Sequence, residues 1–464
     1  MRRTMGATGL FFLAGVSLGA AQESGKTQAP PSRKEFDALK KELESLRQQG
    51  SPQGGRSGDA RPLSFTIGGQ YRIVADASNF GWHPPTVTED QDTSGFVNQR
   101  FRTWFSVAPS EGVLGYLQME LGHITWGENL EWTKTVRGPR LPASADPQGD
   151  RVGVELRRAY LQYRHATLGL FRAGIQDWHD AFGEHPSLGS PEAVDDYDSF
   201  GSILANSIWD FNVAGVSWTL PLPDPTGLTL NAGAFSLWEG DPSRADDVAL
   251  FALDADLTVT ESGCVGASVY YLKDRGTYSY PTVGPYKSSW DLWLGVRGAL
   301  ETGPGVLRMF AIWNVGRRDD SSAPSDFEHH GWAAKLELGE CALGSGRFWI
   351  QGLYATGEGD PTDRHSNEFR TIAQSERDNF GAQGYWSYLA LTSPHGPSDV
   401  NDLGLSVQNR GLGLWTVQAK YEYRWFEYLS TIAAVGWLRA AQNNPANGEK
   451  DMGTEIMSAW ALDL

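Results

Sequence analysis

Six arginines carry the most legible chemistry in this sequence. Arg72, Arg100, Arg102, Arg158, Arg164 and Arg172 stand at even positions in segments whose odd positions are held by apolar residues. Gln70, Asn98, Gln118, Glu120, Tyr160, Gln162 and Gln176 share that parity. A guanidinium is permanently charged, and its fork of donors matches a carboxylate or a phosphate. A row of them along a narrow watery passage attracts and guides anions. The plainer expectation is a transverse field, in which Glu120, Asp254, Asp256, Asp291 and Glu422 face arginines across a lumen. The expected pore-lining set is therefore Arg72, Arg100, Arg102, Glu120, Arg158, Arg164, Arg172 and Gln176.

Other chemistry is weakly signalled. Residues 177–207 hold Asp177, His179, Asp180, His185, Asp195, Asp196 and Asp198, and this loop is the expected constriction. The histidine spacing matches no recognised metal pattern, and the acids read as a solvated loop rather than a calcium site. No GxSxG, HExxH or phosphate-binding glycine loop occurs, so no catalytic residue and no enzyme activity is expected. There is no CxxCH for covalent haem, and no cofactor or metal is expected. Cys264 and Cys341 leave pairing open.

The segments that carry these residues follow a two-residue period. In 65–76, Phe65, Ile67, Tyr71, Ile73 and Ala75 oppose Thr66, Gln70, Arg72 and Asp76. In 98–107, Phe101, Phe105 and Val107 oppose Asn98, Arg100, Arg102 and Ser106. Similar runs recur to the end of the chain, each long enough for a tilted membrane strand. Their connections alternate in length. Short ones at 108–112, 164–168, 221–227, 260–263, 301–305, 339–346 and 425–427 interleave with long ones rich in Asp, Pro and Gly. Short turns on one rim and long loops on the other are the plan of an outer-membrane barrel. The expected fold is all-β: an antiparallel, up-and-down transmembrane barrel of about sixteen strands, or eighteen if part of 380–411 adds a pair. Trp104, Trp126, Trp218, Trp238, Trp290, Trp415 and Trp437 suit aromatic girdles at two interfaces.

The 464 residues carry a net charge of −17 and a mean hydropathy of −0.39. Beyond the first twenty residues no run approaches the roughly 18 apolar residues of a membrane helix, while barrel strands average near neutral. Residues 1–21 read as a cleaved signal peptide: Arg2 and Arg3, an apolar run over 9–18, then Gly19, Ala20 and Ala21. Its loss takes the charge from −17 to −19 by removing those two arginines. A linker follows at 22–32. Residues 33–48 space Phe36, Leu39, Leu43 and Leu46 as a coiled-coil seam, with Ser32 and Glu35 as a capping box. A second flexible linker occupies 49–62, and the barrel is expected over 63–464.

The coiled coil from Phe36, the GGQYR of Gly68 to Arg72, the stretches at 99–104 and 118–123 (QMELGH), and RAGIQDW at 172–178 together resemble bacterial porins of the alginate-export and phosphate-selective type. The resemblance runs over most of the chain through loose motifs. It implies a pore fold in the bacterial cell outer membrane, and no substrate-binding residue is carried over by identity. The expected function is diffusion of small hydrophilic solutes, anions among them, through a water-filled lumen. The alternatives are a plugged or partner-filled barrel (an adhesin, or a sheath for an electron-transfer partner) and an exporter of an anionic polysaccharide. Expected partners are outer-membrane lipid and lipopolysaccharide, the solutes, copies of the same chain in a trimer held by 33–48, and a possible cell-wall tether. Nucleic acid is not among them.

Overall fold

The computed structural model describes residues 8–17, 63–78, 94–125, 154–182, 210–238, 247–275, 286–320, 327–359, 364–371 and 407–463, short gaps within these ranges excepted. The helix expected at 33–48 and both linkers lie outside the described residues.

Alternation of apolar and polar residues dictates strands, and strands are what form. Sixteen run antiparallel to their neighbours in chain order: β2 (Ser64–Ser78), β3 (Ser94–Ser110), β4 (Val113–Thr125), β5 (Val154–His165), β6 (Gly169–His179), β7 (Asp210–Pro221), β8 (Leu228–Trp238), β9 (Val248–Thr260), β10 (Gly263–Asp274), β11 (Tyr286–Glu301), β12 (Val306–Asp320), β13 (Phe327–Leu343), β14 (Gly346–Ala355), β16 (Leu414–Phe426), β17 (Leu429–Ala440) and β18 (Asp451–Asp463). The ladders are long; β11 and β12 pair from Tyr286 opposite Asp320 to Glu301 opposite Val306. The expected alternation of short turns and long loops holds along the chain. Two further pieces complete the sheet. β15 (His365–Ser366) lies parallel to β13, on Glu328 and His329.

The other piece, β1 (Thr8–Ser17), falls on the apolar run read above as a leader. It pairs in parallel with β18 from Thr8 opposite Ile456 to Gly15 opposite Asp463. Against β2 it makes only two antiparallel pairings, Val16 to Tyr71 and Ser17 to Gln70. Among the described residues no ladder joins β2 directly to β18; β1 pairs with both.

The two faces separate as the period requires. One carries large exposed apolar side chains, among them Phe251, Leu253, Val265, Val269, Met309, Trp313, Trp332 and Leu336. This is the surface a hydrocarbon layer covers, and the sheet is that of an outer-membrane β-barrel. Aromatic residues band this outer face at both ends. Trp332 and Tyr354 (4.8 Å) and Trp415 and Trp437 (4.9 Å) lie toward the long loops. Phe171 with Trp218 and Tyr423 with Trp425 (4.6 Å) lie toward the short turns. There Trp218 Nε1 donates to the Leu168 carbonyl at 2.6 Å, the amphipathic use expected of an interfacial indole.

The inner face departs from the polar lining that alternation suggests. From β7 to β17 much of it is packed with apolar side chains: Val213, Phe235, Leu250, Tyr270, Trp293, Phe310, Ile312, Leu353, Leu414, Ile432 and Leu438 are all buried, and Asp291, Asn314, Arg318 and His329 are buried on the same strands. Phe182 and Phe369, from two inter-strand segments, are buried in the same cluster. Part of the barrel interior is thus a hydrophobic core. Cys264 and Cys341 are both free.

Candidate pore-lining site

The β3–β6 wall brings the predicted polar row together through register. Tyr116 stands opposite Tyr160, Gln118 opposite Arg158, and Gln162 opposite Arg172. A bulge near Arg157 resets β5, so that Gln118 faces Arg158 while Met119 faces Leu156. That extra residue keeps Arg158 on the inner face with Tyr160 and Gln162, a common use of a bulge. Tyr116 and Tyr160 stack at 5.1 Å between ring centroids. The Arg172 guanidinium carbon lies 5.3 Å over the Tyr160 ring, and its Nε donates to Gln162 Oε1 at 2.8 Å. Across from Tyr160 stands Gly174 at φ +128°, where a Cβ would meet the Tyr160 backbone at 2.8 Å. Gln176 is buried; it donates to the Gly215 carbonyl at 3.1 Å and accepts from Ser217 Oγ at 2.6 Å.

The remaining predicted residues divide as follows. Arg158 is buried beside this cluster, and Arg164 is exposed near the short turn to β6. Arg102 stands opposite Glu120 across β3 and β4, and Arg72 stands opposite Arg100 across β2 and β3. Among the described side chains the register draws Arg158, Arg172 and the intervening Gln118, Tyr160 and Gln162 together, whereas for Arg72, Arg100 and Glu120 it gives only the backbone pairing.

The facing strands follow a different rule. Arg297 on β11 meets Asp256 at 2.5 Å and Asp254 at 3.7 Å, and its Nη1 donates to Ser268. Asp254 also accepts from Ser268 Oγ and, at 2.5 Å, from Tyr270 Oη. On β12 and β13, Arg308 pairs with Glu337 at 3.0 Å and with Glu340, while Lys335 meets Glu337 at 3.1 Å. Glu340 takes a φ of 59° at a bulge in β13, which aims its carboxylate back at Arg308. His329 Nε2 lies 2.6 Å from Asp291 Oδ1, although neither group is aligned for a hydrogen bond. Lys420 Nζ sits 4.4 Å over Trp349. Asp254 and Asp256, expected to face arginines across the lumen, thus meet Arg297 two strands away on the same wall, and Asp291 meets His329 two strands away. Sequence reasoning missed Arg297, Arg308, Lys335 and Lys420, whose parity within β11, β12, β13 and β16 was the available signal.

Two segments fold into the interior. After β6 the chain turns inward: Asp180 Oδ1 accepts from the Phe182 amide at 2.9 Å, and the Ala181 amide donates to Tyr270 Oη at 2.9 Å. Phe182 lies 5.6 Å from Phe310 and 5.8 Å beneath Arg297. Gly295 leaves its space, since a Cβ there would overlap the ring. Of the loop expected to form the constriction, 177–207, only the residues up to Phe182 are described, the first three of them in β6. The second segment, 364–371, packs on β13, where a Cβ at Gly331 would strike the backbone of Glu368 and Phe369. Among the described residues no three His, Cys, Asp or Glu side chains converge as metal ligands. His185, Asp195, Asp196 and Asp198 lie outside the described residues.

No family model and no curated protein matches the chain. Among solved structures it is similar to an anion-selective porin from Comamonas acidovorans, at 10% identity and a TM-score of 0.45, covering 87% of this chain and 96% of that one. It is also similar to OccK8 (OprE) of Pseudomonas aeruginosa, at 12% identity and a TM-score of 0.43, over 81% and 84% of the two chains. OmpT, an outer membrane protein of Vibrio cholerae, matches in its trimer form at 12% identity and a TM-score of 0.41, over 84% and 94%. At these identities and scores the fold rests on the sheet itself.

Proposed function

We propose that the chain is an outer-membrane porin that passes small hydrophilic solutes, with a preference for anions, along the β2–β6 wall. The observation that carries this reading is the contrast between the two walls. Arg297 and Arg308 are matched by carboxylates, whereas the described contacts of Arg172 are the neutral Gln162 and Tyr160. A cation held in place by neutral groups keeps its field for a passing solute. The filled half of the interior under β7–β17 leaves the passage to the arginine side.

The test is single-channel conductance of the purified protein in a planar bilayer under a KCl gradient. Low salt is preferable, since about 0.1 M leaves a screening length of about 10 Å. Wild type should give steady openings with an anion-favouring reversal potential. Arg172→Gln should lower that preference while leaving the barrel folded. A reversal potential that ignores Arg172 would remove the arginine wall from the selectivity argument.

A second reading, a plugged barrel, draws on Phe182 and Phe369 within the lumenal cluster. It predicts a folded barrel that is silent under all conditions.

A further inference from the structure

We propose that residues 364–371 form a pH-responsive plug, seated against β11–β14 while the Glu368 carboxyl holds a proton, and unseated as it ionises. The inference rests on the channel reading above and adds a regulation to it.

The segment is held by many separable contacts rather than by chain continuity with a strand. Its start docks by two parallel bridge pairs, His365 to Glu328 and Ser366 to His329, with the Arg364 carbonyl accepting from the Glu328 amide at 3.0 Å. Its middle is tied to the extension of β14. The Asn367 amide donates to Glu358 Oε2 at 2.7 Å, and the Phe369 amide donates to the Thr356 carbonyl at 3.0 Å. Its end is received by the barrel wall. Trp293 Nε1 donates to the Arg370 carbonyl at 2.7 Å, and the Arg370 amide donates to Asn314 Oδ1 at 3.2 Å. Phe369 is fully buried among the lumenal aromatics, and Arg370 and Thr371 are buried beside it.

Charged groups surround this seat from each packed element. β11 supplies Asp291, β12 supplies Arg318, β13 supplies Glu328 and His329, the β14 extension supplies Glu358, and the segment itself supplies Arg364, His365, Glu368 and Arg370, with His365 Nδ1 3.8 Å from Glu328 Oε2. Behind Glu368 lies the 409–411 turn, where a Cβ at Gly411 would stand 3.8 Å from its carboxyl. Part of residue 368 reaches solvent, but protein surrounds the carboxyl. Burial is the main cause that pushes it from its ordinary 4.5 up to about 7; Arg318 opposes this, and Glu358 and Asp291 reinforce it. The sign follows by linkage: a carboxyl raised in the seated state favours seating in full below about 4.5, and that support is lost as pH rises through 7. The shift bounds the change in the seating equilibrium at about two orders of magnitude. Around the Glu368 carboxyl, burial together with Glu358 and Asp291 outweighs Arg318, so its ionisation is the step that expels the segment.

The experiment is single-channel recording of the whole protein between pH 5.5 and 8.5, with folding checked by heat-modifiable migration. Wild type should show an open fraction that rises at least several-fold across pH 7. Glu368→Gln, which stays uncharged, should remain largely closed and lose the pH response. Trp293→Phe, lacking the hydrogen bond to Arg370, should open more often at every pH, reach half-opening at lower pH and still respond to pH. A conducting wild type that ignores pH, or a Glu368→Gln chain that keeps the response, overturns the plug. Transfer of the response to His329→Gln overturns it as well. Silence at every pH, from wild type and from a folded chain carrying a glycine–serine spacer for 364–371, overturns the channel reading instead.

Discussion

Arg297 shows how side chains inside this barrel are neutralised. Its guanidinium is nearly withdrawn from solvent and meets Ser268 on the neighbouring strand β10 and Asp254 and Asp256 on β9 beyond it, with the Phe182 ring at 5.8 Å. Removing one partner of a buried ion pair strands the other without solvent or counter-charge. Arg297→Met is therefore expected to lower stability by about 3–5 kcal/mol, read from denaturant unfolding in detergent by tryptophan fluorescence. Replacing Arg297, Asp254 and Asp256 together by apolar residues of similar size should recover most of that loss, because no buried charge remains. A triple variant no better than the single one would place the stabilising role in the Phe182 contact. At this scale the sequence was half legible. Asp254 and Asp256 were recognisable as inner-face acids. Their partner Arg297 lies some forty residues further on, and only the register of β9, β10 and β11 brings it to them.

The elements were more readable than their interior packing. A two-residue period names strands, and alternating loop lengths order them, because both are local properties of the chain. The sixteen antiparallel strands among the described residues were legible on those grounds. What periodicity does not report is the chemistry facing inward when loops return to cover it. Leu250, Tyr270, Trp293 and Phe310 hold inner positions because Phe182 and Phe369 pack against them. The run at 8–17 is the other departure. An apolar stretch of ten residues suits a leader, and the same residues suit a strand when two sheet edges stand apart, as those of β2 and β18 do here. Its parallel pairing with β18 is out of character for an up-and-down barrel, whose neighbours run antiparallel. We propose that cleavage after Ala21 frees this seam for direct pairing of β2 and β18, an antiparallel match that an even number of strands permits. A chain of residues 22–464, refolded into detergent, should then reach a compact, heat-modifiable form at least as resistant to denaturant as the full chain. A 22–464 chain that fails to fold while the full chain folds would make β1 a structural strand.

At the scale of the whole molecule, sixteen strands bring Ser64 at the start of β2 and Asp463 at the end of β18 to the short-turn rim. We propose that the linker at 49–62 and the heptads at 33–48, which precede β2 in the chain, stand on the periplasmic side. Those residues lie outside the described part of the chain, so the argument stands on their sequence. Phe36, Leu39, Leu43 and Leu46 make a seam of only two heptads, too short to hold a helix or a coiled coil by itself in water. Barrels confined to one membrane raise the local concentration of such segments, and the linker lets neighbouring copies meet. We propose that 33–48 gathers the barrels into a trimer. Brief chemical crosslinking of the native protein in mild detergent should give a ladder ending at three chains. Leu39→Asp with Leu43→Asp puts two charges into the seam, and it should reduce the ladder to single chains while the barrels keep their heat-modifiable migration and their conductance. An unchanged ladder would move the oligomer contact to the exposed apolar outer wall, and would leave 33–48 to the other role its position allows, a tether to the cell wall.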